Sequence, residues 1–393
     1  MEQLIISLTS YPARIMTVHK VIESLFEQTE KATEIILWLS EQEFPQKYEN
    51  LPESLNCLIG KNGFRIEWVY DNLKSHKKYF YALQNSNSVV ITVDDDMYYS
   101  RTMVQTLMDS YRKHPTAISA RNVHIIFREG NSISPYLTWE SYAAEYIDKE
   151  RMDLCGIGVN AILYPPGCAN DRWFDKESIK SCAENQDDLW LKYNEIIDNI
   201  PVVYTGMKEE DFLIQESQND ALYIQNTHGG ENDNCINKLV DRMQNSSWDI
   251  YENWLDHLMS LEEYIFTKKR YYMSKFEEIF TINKKKNVYI CGAGKYAHIL
   301  LRYICRCGYG EKIKAFLVSS ENNDTHENDV LAVKLISELK ENQTFSVICG
   351  VSEKYREEIK QELENLIYLD WIEINLQEIV RLELLEERYD RAR

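Results

Sequence analysis

The sequence predicts an α/β protein in which a large, mostly parallel sheet is followed by a helical connector and a second, smaller α/β unit. Two observations predict this fold class. In the first part of the chain, helical patterns alternate with short apolar runs near residues 4–8, 34–40, 65–70 and 89–93. Later, another apolar run at 287–291 leads into a glycine-rich turn. We therefore predict three regions, which span residues 1–235, 236–284 and 285–393.

The helices between these strands are predicted from apolar residues that recur at helical spacing. The first helix has such a face at Val18, Val21, Ile22, Leu25 and Phe26. After the fourth strand we predict a helix at 102–111, a strand at 117–127 and a polar loop near 130–134. In the connector, the apolar spacing from Trp248 to Leu258 contributes to a prediction of two helices.

The composition fits a soluble globular protein, because 44% of the residues are apolar and 27% are charged. The net charge of −19 argues against nucleic acid and anionic membranes as partners, since both attract basic surfaces. No apolar run has the length of a transmembrane helix, and residues 1–8 do not resemble a signal peptide. The nine scattered cysteines favour reduced thiols. We expect a cytoplasmic protein, with peripheral attachment to the inner face of the membrane as the alternative, and leave its oligomeric state open.

The most informative stretch is the end of the fourth strand, where an apolar run is followed directly by Asp94, Asp95 and Asp96. Three adjacent carboxylates repel one another, and either water or a divalent cation can offset that repulsion. Carboxylate oxygens are hard ligands that suit Mg²⁺ or Mn²⁺ better than zinc. A metal held by Asp94 and Asp96 would keep positions open for substrate phosphates. The alternative is an acidic turn after a core strand.

Residues 91–97, Ile-Thr-Val-Asp-Asp-Asp-Met, resemble the Asp-x-Asp motif of GT-A fold glycosyltransferases. In that family the motif grips the metal–diphosphate group of a nucleotide sugar. The resemblance implies a GT-A (nucleotide-diphospho-sugar transferase) domain at 1–235, with Mn²⁺ or Mg²⁺ as cofactor. It assigns Asp94 and Asp96 to the metal, and Asp94 and Asp95 to donor binding.

The end of the first strand also resembles bacterial capsule-type glycosyltransferases. That strand ends in Thr9, Ser10 and Tyr11, with Arg14 just beyond. Ligands of parallel sheets bind beyond the carboxyl ends of strands, where this segment would lie. The segment is similar to the base-binding loop of the family, which implies that these four residues contact the donor. The alternative is an ordinary strand-to-helix turn with a solvated Arg14.

A third segment, residues 70–79, follows another strand and is similar to the same transferases. Asp71 would lie at the strand end, where its carboxylate could accept a hydrogen bond from a uracil or a ribose. Lys78 is the best match to the family among the three lysines of the segment, and its charge would lie near the donor diphosphate. The alternative for the lysines is a solvated helical face, which we favour for Lys74 and Lys77.

Two later segments point to the acceptor and to catalysis. The pattern of residues 156–167 indicates a loop, a short strand and a Pro-Pro-Gly turn. In the family that the chain resembles, such a loop borders the acceptor sugar. Residues 185–191 resemble the Asp-Asp motif that supplies the catalytic base in inverting enzymes, which makes Asp188 the base with Asp187 beside it. The alternative is a helix N-terminus, where aspartates are favoured. His228 is a candidate third metal ligand.

The C-terminal region begins with a Rossmann-type turn at Gly292 and Gly294, which follows the apolar strand and precedes a helix. Further strands are predicted at 313–318 and 345–349. The region resembles the small nucleotide-sugar-binding Rossmann domains of bacterial polysaccharide enzymes, which implies a second nucleotide site at the two glycines. Glu321 comes too late for the acid that contacts a ribose, so we do not expect NAD binding. A structural or regulatory role is the alternative.

Together, the motifs predict a metal-dependent glycosyltransferase of the hexosyltransferase class, with inversion at the sugar carbon. Its donor would be a nucleotide-diphosphate sugar, with a UDP-sugar favoured, and its acceptor a glycan or a lipid-linked sugar in bacterial surface polysaccharide synthesis. One alternative is an oxidoreductase or epimerase that acts through the C-terminal glycine turn. The other is a regulator that binds nucleotide sugars without catalysis.

Overall fold

The computed structural model describes residues 3–84, 87–141, 144–216, 230–282, 287–319, 331–339, 345–351, 353–364 and 369–392. The contacts divide the chain into two compact units, Met1–Ser260 and Leu261–Arg393. This division falls inside the stretch 236–284 that the sequence predicts as a connector.

In the first unit, strands and helices alternate along the chain. The strands are β1 (Leu4–Thr9), β2 (Glu34–Ser40), β3 (Phe64–Val69), β4 (Val89–Thr92), β5 (Met97–Tyr98), β6 (Ile118–Ala120), β7 (Val123–Ile125), β8 (Arg128–Glu129), β9 (Ser132–Ile133), β10 (Glu150–Arg151), β11 (Leu154–Gly156), β12 (Ile162–Tyr164), β13 (Val202–Tyr204) and β14 (Phe212–Leu213). The helices are α1 (Val18–Phe26), α2 (Glu53–Asn56), α3 (Lys77–Leu83), α4 (Met103–Lys113), α5 (Lys176–Cys182), α6 (Asp187–Ile197), α7 (Glu231–Ser246) and α8 (Trp248–His257).

Within the described part of this unit, an eight-stranded sheet has the order β10-β13-β6-β12-β4-β1-β2-β3. The ladders β4–β1, β1–β2, β2–β3 and β6–β13 are parallel. Strand β12 runs antiparallel to both β4 and β6, so these two point the same way, and β10 is antiparallel at the edge. The predicted α/β class with a large, mostly parallel sheet is confirmed.

The core follows the predicted apolar pattern. The four predicted strands are confirmed as β1 to β4, and β4 is buried at every position, as expected for a strand covered on both faces. The predicted face of α1 packs inward, with Val18, Val21, Ile22 and Leu25 buried in the same cluster as the apolar residues of β1. Helix α4 confirms the predicted helix at 102–111 and buries Met103, Leu107 and Met108.

Two predicted elements were wrong in detail. The single strand predicted at 117–127 is broken into β6 and β7, because Arg121, which lies between them, leaves the strand and forms a buried ion pair with Asp211. Strand β7 then leaves the large sheet and pairs with β11. Two helices are predicted between 236 and 283, but the structure has three, α7, α8 and a helix that begins at Leu261. The breaks lie at Ser247 and Leu258, which leave the helical conformation and interrupt the apolar pattern.

The topology places one edge of the large sheet where a ligand would bind. The parallel strands β1, β3 and β4 point toward this edge, and their carboxyl ends lead into the predicted donor segments. The antiparallel strand β12 starts at the same edge, just after residues 158–160. In open parallel sheets, ligands bind beyond the carboxyl ends of the strands. The edge therefore gathers the segments that the sequence selects.

The second unit is built around a smaller sheet. Its elements are α9 (Leu261–Ile282), β15 (Asn287–Cys291), α10 (Lys295–Arg306), β16 (Ile313–Val318), β17 (Val333–Leu335), β18 (Phe345–Cys349), α11 (Glu353–Glu364), β19 (Leu369–Ile372) and α12 (Leu376–Ala392). In the described residues its five strands have the order β17-β16-β15-β18-β19, and every ladder is parallel. The strands predicted at 313–318 and 345–349 are confirmed.

Helix α9 belongs to the second unit. Its Tyr272 hydroxyl donates a hydrogen bond of 2.5 Å to Glu378 of α12, and its ring meets the ring of Tyr303 edge-on. Lys268 forms an ion pair of 2.6 Å with the same Glu378. The apolar side of α9 is thus covered by α10 and α12. None of the helices in the described part of the chain combines the length and the apolar composition of a membrane span.

These contacts predict where the chain can be cut. A chain that ends at Ser260 keeps α7 and α8 with their partners, so we expect it to be monomeric and to unfold cooperatively. A chain that ends at Lys285 also keeps α9, whose buried Tyr272 would lose Tyr303 of α10 and Glu378 of α12. We expect that second chain to aggregate, since it exposes a contiguous apolar face. Size-exclusion chromatography and thermal melting compare the two, and aggregation of the shorter chain would contradict the division.

Candidate active site

At the ligand edge of the large sheet, side chains from four predicted segments come together. They are Arg14 after β1, Lys78 in α3, the carboxylates of residues 94–96 after β4, and Asp187 and Asp188 at the start of α6. The segments are far apart in the sequence, and only the fold brings them to one place. We refer to this group as the carboxylate cluster.

Lys78 joins the two halves of the carboxylate cluster. Its Nζ lies 2.5 Å from Asp94 Oδ1 and 2.9 Å from Asp187 Oδ2, and its side chain is only 5% exposed. Burial alone would lower the pKa of Lys78, but the charges of Asp187, Asp94 and Asp188 raise it well above its ordinary value. Lys78 is therefore a fixed cation between the Asp-x-Asp segment and the predicted catalytic pair.

The start of α3 is held in place by a buried histidine. His76 Nε2 donates a hydrogen bond of 2.7 Å to the carbonyl oxygen of Ala183, and His76 Nδ1 accepts one of 2.9 Å from the Tyr79 hydroxyl. Burial lowers the pKa of His76, in agreement with a neutral ring that donates at one nitrogen and accepts at the other. Because Ala183 lies just before α6, this contact fixes Lys78 opposite Asp187.

The two aspartates of α6 lie in different environments. Asp188 Oδ1 accepts a hydrogen bond of 3.1 Å from the backbone N–H of Gly158. Burial, and then the charge of Asp187, raise the pKa of Asp188 well above its usual range. Burial also acts on Asp187, but the charge of Lys78 outweighs it and lowers the pKa of that carboxyl. Asp187 is thus the charged partner of Lys78, and Asp188 holds its proton more tightly.

Arg14 organises the acidic triplet. Its NH1 lies 2.8 Å from Asp95 Oδ1 and 3.0 Å from Asp96 Oδ2. The hydroxyl of Ser10 donates a hydrogen bond of 2.6 Å to the other oxygen of Asp95. Burial raises the pKa of Asp95, while Arg14 and Ser10 act in the opposite direction. Ser10 and Arg14, which the sequence predicts to contact the donor, therefore hold Asp95 and Asp96 of the acidic triplet in this structure.

The remaining predicted residues lie around this cluster or away from it. The Thr9 hydroxyl donates a hydrogen bond of 2.8 Å to the carbonyl oxygen of Trp38, and the Arg14 guanidinium lies 5.7 Å from the centre of the Tyr11 ring. Asp71 forms an ion pair with Lys176 at the start of α5. His228 lies outside the described residues, so its predicted role as a metal ligand stays a prediction.

A divalent cation at the carboxylate cluster stays a prediction. Among the described residues, no group of three or more His, Cys, Asp or Glu side chains is arranged around a single metal position. Asp94 faces Lys78, and Asp96 faces Arg14. The cluster brings five carboxyl groups, those of residues 94–96, 187 and 188, close to these two cations. Hard carboxylate oxygens at Asp94 and Asp96 fit Mn²⁺ or Mg²⁺.

Sequence reasoning missed a buried ion pair next to the cluster. Arg121 NH1 lies 2.8 Å from Asp211 Oδ2, and both side chains are almost fully buried. Asn160 Nδ2 donates a hydrogen bond of 3.0 Å to the same carboxylate, and the backbone N–H of Ser100 donates one of 2.9 Å. The pair ties the segment after Asp96 to residues 158–160. Arg121 lies inside the strand that the sequence predicts at 117–127, and Asp211 lies in no motif, so neither residue had a readable signal.

In the second unit, the predicted glycine turn lies at the end of β15. Gly292 has a φ of +86°, and Gly294 directly precedes α10. A Cβ atom on Gly292 would lie 2.6 Å from Val351 Cγ1, so a larger residue would strain this turn. Strand β16 ends at Val318, and Glu321 lies outside the described residues. A second nucleotide site here stays a prediction.

Comparison with known proteins leaves the function open. No protein-family model matches the chain, and no curated protein matches it. Among solved structures, residues 1–349 of S. aureus TarS have 13% sequence identity and a TM-score of 0.35, with 63% of this chain and 73% of that one covered. The UDP complex of the same protein has 12% sequence identity and a TM-score of 0.31, with 62% of this chain and 72% of that one covered. A 4-diphosphocytidyl-2C-methyl-D-erythritol synthase from Anaerococcus prevotii has 12% sequence identity and a TM-score of 0.33, with 55% of this chain and 91% of that one covered. Values this low carry no inference about function.

Proposed function

We propose that the first unit is a metal-dependent, inverting glycosyltransferase that uses a nucleotide-diphosphate sugar. The observation that carries the proposal is the position of Lys78, which pairs with Asp94 of the Asp-x-Asp segment and with Asp187 of the predicted catalytic pair. An inverting glycosyl transfer needs the donor diphosphate and the acceptor base on opposite sides of one sugar carbon. Lys78 links the two segments to which these roles are assigned.

In this proposal, Asp188 acts as the general base. Its carboxylate takes the proton of an acceptor hydroxyl, and the hydroxyl oxygen attacks the anomeric carbon of the donor sugar. The bond from that carbon to the diphosphate oxygen breaks, and the diphosphate leaves with the electron pair. Attack from the face opposite the leaving group inverts the configuration. A raised pKa brings Asp188 closer to the working pH, where a general base is most effective.

The rest of the cluster serves the donor. Asp94 and Asp96 would hold Mn²⁺ or Mg²⁺, which when bound neutralises charge on the leaving diphosphate. Arg14 and Lys78 place two further positive charges beside these carboxylates. We propose a UDP-sugar as the first donor to try, because Asp71 and residues 9–14 resemble base-binding segments. The proposed acceptor is a glycan or a lipid-linked sugar of a bacterial surface polysaccharide, at the cytoplasmic face of the membrane.

A thermal-shift screen tests this proposal. The full chain is melted with UDP-, GDP-, CDP- and TDP-sugars, each with and without Mn²⁺. A ligand that binds the folded state at about 100 times its Kd stabilises the protein by about 2.7 kcal/mol. We expect one nucleotide class to raise Tm, with a larger increase in Mn²⁺. No increase with any of these nucleotides would contradict the proposal.

A glycine in the cluster provides a local test. A Cβ atom on Gly158 would lie 2.9 Å from Lys78 Nζ and 3.1 Å from Asp188 Oδ1, closer than real Cβ atoms normally approach. We expect Gly158→Ala to displace both groups and to lower kcat for sugar transfer about tenfold or more, because small displacements of reacting groups cost rate steeply. The measurement is steady-state release of nucleoside diphosphate.

Gly156→Ala is the matched control two residues earlier. Its Cβ would meet only apolar atoms, Ile162 Cδ1 at 3.0 Å and Ala120 Cβ at 3.4 Å. We expect it to lower Tm with little change in kcat per folded molecule. Equal kcat values for the two variants would show that the cluster tolerates displacement of Lys78 and Asp188.

A further inference from the structure

Two cysteines of the second unit lie side by side at the ends of neighbouring strands. Cys291 is the last residue of β15, Cys349 is the last residue of β18, and the two are partners in the parallel ladder. Neighbouring strands lie about 4.8 Å apart, which is within the Cα separation of about 4.4 to 6.8 Å that a disulfide requires. Both residues are buried, and their thiols share a hydrogen bond.

The pair lies beneath the crevice where the strand order of the second sheet reverses. The chain runs from β15 outward through β16 and β17 and then returns to β18 on the other side of β15. Gly292 and Gly350 follow the two cysteines, and a Cβ on Gly350 would lie 2.6 Å from the Cys291 carbonyl oxygen. The two turns are therefore in close backbone contact, at the position where sheets of this kind bind ligands.

We propose that Cys291 and Cys349 are a reactive dithiol that a hydroperoxide oxidises to a disulfide. The Cys349 thiolate attacks the terminal peroxide oxygen, which breaks the O–O bond and gives a sulfenic acid. The leaving oxygen departs with the electron pair as alkoxide or hydroxide and takes a proton from water, so that an alcohol or water is released. The Cys291 sulfur then attacks the sulfenic sulfur, its proton leaves with the hydroxyl as water, and the disulfide forms. The hydroperoxide is reduced by two electrons, and the two thiols are oxidised by two.

The environment of the two thiols differs in the way that this chemistry needs. The hydrogen bond from Cys291 and the nearby Arg356 outweigh burial and lower the pKa of Cys349 to about 6, so its thiolate is populated at neutral pH. The same hydrogen bond, together with burial, raises the pKa of Cys291. Attack on a peroxide requires a thiolate, which assigns the first step to Cys349 and the resolving step to Cys291.

The experiment uses the full chain and hydrogen peroxide as the probe. We expect the intact mass to fall by two hydrogen atoms, and a digest without reductant to join the peptides that contain Cys291 and Cys349. In Cys291→Ser, we expect dimedone to trap Cys349 as a sulfenic acid. Cys305→Ser is the matched control, because Cys305 is exposed on α10 and should not affect the bond.

A second measurement on the unmodified chain does not depend on the folding of any variant. The rate of iodoacetamide labelling at Cys349 should be half-maximal near pH 6, as its lowered pKa requires. Labelling that rises only near the ordinary thiol pKa of about 8.5 would overturn the assignment of Cys349 as the attacking thiolate. Recovery of both thiols in reduced form after peroxide treatment, or a bond that maps to other cysteines, would overturn the proposal.

Discussion

Asp188→Asn is expected to lower kcat by about 10² to 10⁴, the usual effect of removing a general base. The amide keeps the size of the carboxyl group, but it cannot take a proton from the acceptor. Donor affinity should change little, because the donor is assigned to the metal and to the cations Arg14 and Lys78. Steady-state transfer gives kcat, and calorimetry gives the donor Kd. Near-normal turnover in this variant would remove Asp188 from the mechanism.

The pH dependence gives the same assignment a second test. Burial and Asp187 raise the pKa of Asp188, and a base works only when it has lost its proton. The rate of the wild-type enzyme should therefore rise with pH through a range above the ordinary aspartate pKa of about 3.9. This acidic limb of the pH–rate profile should disappear in Asp188→Asn.

The raised pKa of Asp188 also affects the stability of the fold. The protonated carboxyl group is favoured in the folded protein, and the stability that this gives is lost as pH rises through the pKa of Asp188 in the folded state. The variant should therefore melt no lower than wild type at neutral pH.

Asp187→Asn is the matched control, one residue away on the same helix turn. Asp187 is the charged partner of Lys78, and its own pKa is lowered. Among the described residues, its loss leaves the buried ammonium of Lys78 with one ion pair, to Asp94, so we expect a lower Tm and a higher acceptor KM. We expect the acidic limb of the pH profile to remain. Loss of that limb in Asp187→Asn, with its retention in Asp188→Asn, would exchange the two roles.

Asp96→Asn is expected to abolish the Mn²⁺-dependent part of donor binding while the fold remains intact. An amide is a weaker ligand for a hard cation than a carboxylate, and only one further ligand, Asp94, is assigned among the described residues. Arg14 would keep its contact with Asp95 at 2.8 Å, so the loop after β1 should stay in place. Calorimetry with a nucleoside diphosphate, with and without Mn²⁺, measures the effect.

Asp109→Asn serves as the control for this second prediction. The side chain of Asp109 on α4 is partly exposed and pairs with Arg112 and Lys208, so the variant should bind donor and Mn²⁺ like the wild type. Unchanged donor affinity in Asp96→Asn would show that the acidic triplet holds no metal. Its carboxylates would then serve to position Arg14 and Lys78.

The sequence predicted the parts of the fold that depend on local pattern. Strands β1 to β4 are short apolar runs, and parallel strands bring their carboxyl ends to one edge. Segments that follow different strands could therefore be expected to meet. This reasoning selected Arg14, Lys78, Asp94, Asp96 and Asp188, and the structure places all of them in the carboxylate cluster or against it.

The contacts that the sequence did not predict depend on pairing between distant residues. Arg121 and Asp211 are 90 positions apart, and neither lies in a motif. The break between β6 and β7 follows from that ion pair, so an apolar pattern over 117–127 gave no sign of it. The ion pairs of Arg14 were also not predicted, because its two carboxylate partners lie more than 80 positions later. Periodicity does not encode such contacts.

The central claim is that the carboxylate cluster transfers a sugar from a nucleotide-diphosphate donor with Asp188 as base. Release of nucleoside diphosphate from a panel of nucleotide sugars tests it most directly, because slow transfer to water is visible even without the acceptor. We predict release from one nucleotide sugar by the full chain in Mn²⁺, loss of that release with EDTA, and a rate at least about 10² lower in Asp188→Asn. No release from any nucleotide sugar, or equal release by the variant, would contradict the claim.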